Sequence, residues 1–386
     1  MTDYWFTSST LVSEYTSHGS VPEHGATVTA ESKIPIRAVC AVAITLAVAL
    51  TSCTEKPDTE VVEGIALTLN PRRSAERTWI SFSTDSLFQI SYTDSVPVFG
   101  PFLRRFDTKD QLFIYDVGDR HVKEFDTTGV FTALHTHGIG SAPGQIRTSV
   151  SDLIIVGDSL IVLTAEFFEY TFENQTNRFW AEQQLDNPLR QARTESGISY
   201  YFYLESESLF TVVTDTGTRH FGKVFENQGD IATALRNEGW IHTYGNCMIF
   251  ASAYYPMFAV YDSTGSLLYA QRTVTAYKTG KAQIETRMLG KDAPVYFAPL
   301  SSIIHYGTTV VNGWLLINVR PNGERAIDAY SIATGHYIGS VKIPFIGHIT
   351  LSAKRIAADR DTTVTVYRHD LSSRIEMPPI QHPQCF

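Results

Sequence analysis

From about residue 60 onward, short apolar runs alternate with turns rich in Gly, Asp, Asn and Thr. The runs are rich in Val, Ile, Leu, Tyr and Phe, and clear examples lie at 112–115, 153–156, 160–163, 200–203 and 315–317. Runs of this length and composition, bounded by turn residues, predict β-strands. Segment 278–289 is the one stretch with a helix-forming composition. Parallel sheets need crossover helices between their strands, so the pattern predicts an all-β protein.

One kind of turn recurs along the chain with the same chemistry. Its copies run from Asp126 to Gly129, from Asp215 to Gly217 and from Asp262 to Gly265, with a looser copy ending at Gly335. The Asp side chain can bond the backbone just ahead, and Gly accepts the positive φ that the turn requires. The glycine intervals of 88, 48 and 70 residues fit a unit of about 44 residues. This fit requires a degenerate turn near 175 and an insertion near 278–289.

Units of about 40–50 residues with four strands each are typical of β-propellers. Turns near 129, 175, 217, 265, 335 and 369 give six blades. The last blade has strands near 354–359 and 363–368, and we expect N-terminal strands near 65–69, 79–83 and 87–92 to complete it. Such closure joins the two chain ends and removes an exposed sheet edge. The prediction is a six-bladed β-propeller of four-stranded antiparallel blades.

The first unit carries a more specific pattern. A hydrophobic strand at 112–115 ends in Asp116, and Arg120 and the turn glycine Gly129 follow. This pattern resembles an NHL repeat, and the glycine-rich stretch 138–145 resembles the inter-blade turn of NHL-like, TolB-like six-bladed propellers found in many bacterial lipoproteins. Asp116 and Arg120 are placed to bond across a strand end, which makes them structural residues of the blade.

An uncharged run covers residues 38–54, with Lys33 and Arg37 just before it. It is too short for a membrane span of about 20 residues, and it is apolar on all sides, unlike an amphipathic core helix. Basic residues followed by such a run are typical of a secretion signal. The run ends in Leu50-Thr51-Ser52-Cys53. This ending resembles the lipobox of bacterial lipoproteins, in which the cysteine receives lipid.

The lipobox resemblance divides the chain into four parts. We expect residues 1–32 to be disordered or to precede the true start, 33–52 to be the signal peptide, 53–64 to be a flexible tether, and 65–386 to be the propeller. The resemblance implies that Cys53 is the lipidation site and holds the protein to a membrane. Thr54 stands where inner-membrane retention often has Asp, so by resemblance to enterobacterial sorting we expect the outer membrane, facing periplasm or cell surface.

Charge and cysteine content narrow the location and the partners. The chain carries a net charge of −9, and the segment before Cys53 contributes −2 from four acids and two bases, which leaves −7. A nucleic-acid partner is disfavoured because no concentrated basic run occurs. Cys40 falls within the signal, so Cys247 and Cys385 remain. These two residues could pair in an oxidising compartment, and the sequence leaves their pairing open.

Three sets of side chains are candidates for a metal. His135 and His137 would face the same side of a strand. Three histidines from separate units could converge on a central channel: His242, His305 and His348. Propeller lactonases and related hydrolases hold a central calcium with acidic and Asn ligands, and the matching candidates here are Asp152, Asn246 and Asn312. None of these sets has the spacing of a metal site, so we expect no metal, no cofactor and no catalytic residue.

Aromatic residues cluster in two neighbouring units: Tyr200, Tyr201, Phe202, Tyr203, Tyr254 and Tyr255. They suit strand packing, and some could form a platform for sugars or peptides. The insertion at 271–297 is the loop segment in which ligand contacts are expected. Fold does not fix function, so two functions stay open. The favoured one is a lipid-anchored binding or scaffold module for a protein, peptide or glycan; the alternative is a metal-dependent hydrolase or lyase with its site in the channel.

Overall fold

Antiparallel four-stranded sheets make up most of the regular structure. The structure is a computed structural model, and it describes residues 59–62, 65–68, 77–91, 94–136, 138–174, 176–204, 207–223, 236–274, 285–289, 293–297, 303–345, 347–360, 363–374 and 385. All of them belong to one compact unit, Asp58–Phe386. No helix within these ranges is both long and apolar enough to cross a membrane.

The strands follow one another around six sheets. Three strands precede the first blade: β1 (Thr59–Val62), β2 (Ile65–Thr68) and β3 (Thr84–Ile90). Blade 1 contains β4 (Pro101–Phe106), β5 (Leu112–Asp116), β6 (His121–Phe125) and β7 (Phe131–Leu134). Blade 2 contains β8 (Val150–Val156), β9 (Ser159–Thr164), β10 (Phe168–Glu173) and β11 (Phe179–Gln184). Blade 3 contains β12 (Arg190–Arg193), β13 (Ser199–Phe202), β14 (Ser208–Thr214) and β15 (Gly217–Lys223).

The second half of the chain repeats this arrangement with one insertion. Blade 4 contains β16 (Gly239–Tyr244), β17 (Cys247–Ser252), β18 (Met257–Tyr261) and β19 (Leu267–Arg272). The insertion contains β20 (Glu285–Leu289) and β21 (Ala293–Phe297). Blade 5 contains β22 (His305–Val311), β23 (Trp314–Val319), β24 (Ala326–Ser331) and β25 (Tyr337–Lys342). Blade 6 contains β26 (Ile349–Leu351), β27 (Arg355–Arg360) and β28 (Thr363–His369), followed by a helical turn, Leu371–Arg374.

The first strands of the six blades form a closed ring. β4 contacts β8, β8 contacts β12, and the contacts continue through β16, β22 and β26 back to β4. These inner strands surround a central channel, and each blade extends outward from them. The six-bladed β-propeller expected from the turn spacing is therefore confirmed.

Blade 6 is completed by the N-terminal strand β3, which pairs antiparallel with β28. This closure confirms that an N-terminal strand completes the last blade. The other two expected strands lie elsewhere: β2 pairs with β19 at the outer edge of blade 4, and Trp79 bridges Ser340 in blade 5. An apolar alternation predicts a strand but does not determine which strand it pairs with, so the expected location of these two strands in the last blade is wrong.

Segment 278–289 differs from its helical expectation. Its described part is β20, which pairs antiparallel with β21 in a separate hairpin; residues 278–284 lie outside the described residues. Lys, Gln, Glu, Arg, Met and Leu are good helix formers, but helix propensities of ordinary residues differ by less than about 1 kcal/mol per residue. Pairing with the strand that follows overrides this preference.

Apolar clusters fill the wedges between blades. Five such clusters lie between blades 6 and 1, 1 and 2, 3 and 4, 4 and 5, and 5 and 6. Alternate residues of β13 show how one strand serves two neighbours. Tyr200 and Phe202 pack toward blade 4, whereas the hydroxyl of Tyr201 donates to Glu169 of blade 2 at 3.1 Å. Burial, followed by the charge of Glu169, raises the pKa of Tyr201 to about 12.

The recurring turns join the third and fourth strands of their blades. In blade 1, Asp126 accepts backbone N–H bonds from two and four residues ahead, at 2.7 and 3.0 Å. In blade 4, Asp262 accepts bonds from the same two positions at 2.8 and 2.9 Å. The copy in blade 3 is tighter, because Thr214 and Gly217 pair directly. There the hydroxyl of Thr214, rather than Asp215, accepts the bond from two residues ahead.

The glycines of these turns also lie against the preceding blade. Gly129 has φ +87°, and a Cβ added there would lie 2.4 Å from the ring of Phe88 in β3. Gly265 has φ +77°, and its Cβ would lie 2.6 Å from the ring of Phe221 in β15. Both the backbone conformation and the close approach therefore require glycine.

A disulfide joins Cys247 to Cys385 across 138 residues. Both cysteines are fully buried in the apolar cluster between blades 4 and 5. The backbone N–H of Asn246 also donates to the carbonyl of Cys385 at 2.7 Å. The disulfide and this hydrogen bond fix the C-terminal end of the chain to blade 4.

Candidate functional site

The propeller has two unlike faces. Each blade has four antiparallel strands, so every inner strand begins at the same face, which we call the entry face. The loops between second and third strands lie there too, and so do the connections between blades. The Asp–Gly turns lie on the opposite face. Loops placed by a rigid scaffold are the usual place for binding residues.

Three arginines lie at the inner part of the entry face, and we call Arg104, Arg320 and Arg325 the three-arginine cluster. Arg104, in β4, is 4% exposed, and its Nη1 donates to Asp359 Oδ2 at 2.8 Å. Arg320 and Arg325 flank the loop between β23 and β24. The guanidinium of Arg320 lies 4.4 Å from the ring centroid of Tyr306. These contacts hold the first two side chains in place.

Asp359 connects this cluster to blade 6. One carboxylate oxygen accepts from Arg104, and the other accepts from the backbone N–H of His348. A Cβ on Gly347, whose φ is +103°, would lie 1.7 Å from the carbonyl oxygen of Asp359. Only glycine permits this approach, and it places His348 beside the arginines.

The pKa of His348 responds to the charges of the cluster. Desolvation by the surrounding protein lowers its pKa, and the charge of nearby Arg104 lowers it further. The residue still reaches solvent. Arg325 and Arg320 lower the pKa further, whereas Asp359 opposes them. All three arginines therefore act on one point, and His348 is uncharged at neutral pH.

A second set of polar groups follows the inner strands across blades 1 to 4. Arg105 Nη2 lies 3.2 Å from Asp152 Oδ1, and the other oxygen of Asp152 accepts from the backbone N–H of Gln191 at 3.1 Å. Arg190 Nη2 lies 3.1 Å from Glu238 Oε1. Burial, followed by the charge of Glu238, raises the pKa of nearby Tyr254.

His242 extends this set to blade 5, and we call Arg105, Asp152, Arg190, Glu238 and His242 the ring network. His242 Nε2 lies 2.7 Å from the hydroxyl of Thr308. Burial lowers the pKa of His242 to about 3, and Arg105 and Arg190 add to the shift. His242 is therefore neutral over the physiological range.

The charge balance at the inner edge of this face is opposite to that of the whole chain. Five arginines belong to the three-arginine cluster and the ring network, against three carboxylates, Asp152, Glu238 and Asp359. The excess of two positive charges contrasts with the net charge of −9 for the chain. The entry face also presents apolar side chains in blade 1, where Phe99 is 51% and Val117 is 46% exposed.

Asp116 and Arg120 lie in the same loop region of blade 1. The buried carboxylate of Asp116 accepts from Lys123 at 2.7 Å and from three backbone N–H groups at 2.8–3.0 Å. Burial alone would raise the pKa of Asp116, but these bonds outweigh it and the pKa is lowered. Arg120 has φ +64° and donates its backbone N–H to the carbonyl of Asp116 at 2.7 Å. The side-chain partner of Asp116 is therefore Lys123.

The candidate histidines occupy separate environments. His135 Nε2 lies 2.8 Å from Glu124 Oε2 in the interior of blade 1, and His137 lies outside the described residues. His305 is fully buried and donates from Nδ1 to the carbonyl of Ser252 at 2.5 Å. Within the described ranges, no three His, Cys, Asp or Glu side chains are grouped to hold a metal.

The oxygen ligands considered for calcium are also apart. Asp152 belongs to the ring network, whereas Asn246 and Asn312 lie in the turns between first and second strands of blades 4 and 5. The side-chain oxygen of Asn246 accepts from the hydroxyl of Ser196 at 2.7 Å. Asn312 is exposed and has φ +49°. These two turns are on the face opposite the entry face.

The remaining candidate residues either pack inside the propeller or lie outside the described residues. Tyr200, Tyr201, Phe202 and Tyr255 are buried, and Tyr203 and Tyr254 are half-buried. Cys53, the signal and Thr54 lie outside the described residues, as does most of the insertion at 271–297. Sequence reasoning missed the arginines because their positions 104, 320 and 325 come from distant blades. The one local signal for the cluster is that Arg320 and Arg325 flank the same loop, between β23 and β24.

Comparison with known proteins supports the fold. A solved structure of a candidate exported protein from Bacteroides fragilis is 13% identical, covers 75% of this chain and 95% of its own, and has a TM-score of 0.52. BamB from Moraxella catarrhalis (15% identity, 68% and 83% coverage, TM-score 0.38) and a streptogramin B lyase (15%, 80% and 91%, TM-score 0.43) are weaker matches. At these identities the likeness concerns the fold alone. No protein-family model and no curated protein matches the chain.

Proposed function

We propose that this protein is a binding or scaffold module of the bacterial cell envelope whose partner docks on the entry face of the propeller. The observation that carries the proposal is the composition of that face. It combines an excess of positive charge at the channel mouth with exposed Phe99 and Val117, on a chain that is acidic overall. Aromatic residues and arginine are enriched where proteins bind partners. A protein, peptide or glycan partner fits this surface.

The location is part of the same proposal. Signal 33–52, lipid on Cys53 and tether 53–64 would hold the propeller at a membrane, and Thr54 favours the outer membrane. The buried Cys247–Cys385 disulfide supports an oxidising compartment outside the cytoplasm. Within six-bladed propellers, the blade-1 pattern around Asp116 supports an NHL-like, TolB-like subtype.

Site-specific photo-crosslinking tests the docking face. A photoreactive amino acid replaces Val117 on the entry face or, as matched control, Val130 in the turn between β6 and β7 on the opposite face. The two valines belong to the same blade and are 46% and 60% exposed. Cells carrying each full-length chain are irradiated, and adducts are resolved by mass.

We expect discrete adducts from position 117 and none of the same mass from position 130, because the partner covers one face. Equal adducts from both positions, or no adduct from position 117, would contradict docking on the entry face.

A further inference from the structure

The three-arginine cluster holds more positive charge than its protein neighbours neutralise. Its three guanidinium groups meet one carboxylate, Asp359, and His348 is neutral there. Among the described residues, no carboxylate lies within salt-bridge distance of Arg320 or Arg325. Two positive charges therefore remain uncompensated at a partly enclosed site, where charges interact more strongly than in bulk water.

The cluster also has hydrogen-bond donors without acceptors. Nε of Arg104 and Nη1 of Arg325 are buried and have no partner. Arg104 is more than nine-tenths buried, so an unpaired N–H on it carries a desolvation cost. Buried polar groups are normally paired. Two unpaired guanidinium N–H groups beside one excess-charge site indicate a missing acceptor.

Two of the three side chains, those of Arg104 and Arg320, are held before any ligand arrives. Arg104 is fixed by Asp359 at 2.8 Å and by the carbonyl of Pro101 at 2.7 Å. Arg320 stacks on Tyr306 at 4.4 Å. These two arginines therefore lose little further conformational entropy when a ligand binds, which favours binding.

We propose that the three-arginine cluster binds the phosphate group of a phosphate monoester or inorganic phosphate. A phosphate monoester carries about −1.5 to −2 charges at neutral pH, which matches the excess of two positive charges. Its three terminal oxygens suit the paired donors of guanidinium groups. The inference rests on the proposed binding function, and it names the chemistry of the ligand at the entry face.

A carboxylate is a weaker fit than a phosphate. One carboxylate brings a single negative charge, so one excess positive charge would stay uncompensated. Its two oxygens can satisfy one arginine in a bidentate pair, whereas the unpaired donors here belong to two arginines in two blades, Arg104 and Arg325. Phosphate is therefore the ligand class that satisfies both the charge and the number of donors.

Calorimetric titration of the purified full chain tests the proposal. Four probes are compared in phosphate-free buffer: inorganic phosphate, glucose 6-phosphate, acetate, and phosphatidylcholine vesicles with or without phosphatidic acid. Each is repeated with Arg325→Gln, with Arg325→Lys, and with Arg147→Gln as the control. Arg147 forms an exposed ion pair with Glu182 of β11, the outer strand of blade 2, so its replacement removes one arginine charge outside the cluster.

We expect at least one phosphate probe to bind with a single site, and acetate to bind more weakly. Arg325→Gln should weaken phosphate binding by about ten- to hundredfold, because one charge-assisted contact is lost. Arg325→Lys should weaken it less, and Arg147→Gln should leave it unchanged. The free probes and the vesicles distinguish a soluble phosphate from a lipid headgroup.

The proposal fails if no phosphate probe binds, if acetate binds as tightly, or if Arg147→Gln weakens binding as much as Arg325→Gln. Thermal unfolding of each variant shows that the fold is retained. Phosphate binding can fail while adducts at position 117 persist, and then only this inference falls. Adducts can fail while phosphate binds, and then the docking proposal falls instead.

Discussion

Single buried side chains set the response of the ring to acid. His242 and His305 are held neutral, with pKa values lowered to about 3 and about 4, mainly by burial. Each bonds a neighbouring element: His242 approaches Thr308, and His305 donates to Ser252. Protonation of either ring would place a charge where it is poorly solvated, and for His242 beside Arg105 and Arg190.

Replacing His242 with glutamine should make the protein less sensitive to acid. A histidine in the unfolded chain gains its proton near a pKa of about 6.5, whereas folded His242 stays neutral until the pH is far lower. The unfolded state then binds more protons, so stability falls as the pH drops below about 6.5 and is constant above it. Urea unfolding from about pH 7 to about pH 5 should show a smaller loss in His242→Gln than in the wild type.

The control for this measurement is His336→Gln, because His336 is exposed in the turn between β24 and β25. This variant should keep the acid response of the wild type. A wild-type free energy of unfolding that stays constant over this pH interval would contradict the assignment of a neutral buried His242.

The elements are joined by turns that fit beneath the preceding blade. Gly129 lies against Phe88 and Gly265 against Phe221, so the same local turn also sets the spacing between blades. The conformational need for glycine is local, and the sequence could predict it from the Asp and Gly positions. The close approach to another blade comes from the assembled ring and has no local signal.

Gly265→Ala should destabilise the protein more than Gly197→Ala. Both glycines have positive φ, +77° and +91°, but nothing lies within 4 Å of a Cβ on Gly197. Each alanine pays about 1–2 kcal/mol for the left-handed conformation, and Gly265→Ala adds about 1–3 kcal/mol for overpacking against Phe221. Equal losses in the free energy of unfolding, measured by urea titration, would mean that Phe221 moves away without cost.

Much of the element pattern was predictable because β-strands and tight turns leave local marks. The runs at 112–115 and 160–163 became β5 and β9. The pairing of the strands was harder to predict. β2 pairs with β19, and segment 285–289 pairs with β21 despite its helical composition. Both outcomes depend on which sheet edge or strand lies nearby, and that information is absent from a local pattern.

At the scale of the whole molecule, closure of the ring gathers side chains that are far apart in sequence. Arg104 and Asp359 are separated by 255 residues and yet bond at 2.8 Å. The fold class could be predicted because it depends on repeated local units. The three-arginine cluster could not be predicted, because its members share neither spacing nor motif. The pairing of Cys247 with Cys385 could not be predicted for the same reason.

Attachment to a membrane is also a property of the whole molecule. Cys53→Ser should release the protein from the membrane fraction, because the proposed lipid is attached to that sulfur, while the propeller keeps its fold. Cys40→Ser, within the apolar run of the proposed signal, is the matched control and should stay in the membrane fraction. Fractionation with circular dichroism of the soluble form measures both effects. Membrane retention of Cys53→Ser would overturn the proposed anchor.

The pairing of β3 with β28 limits the order in which the blades can form. β3 covers Thr84–Ile90, whereas its partner β28 covers Thr363–His369. During synthesis β3 therefore has no partner until β28 is made about 270 residues later, and blade 6 stays open until then. Such long-range pairing is slow. Blades 1 to 5 can therefore form on the growing chain before the ring is able to close.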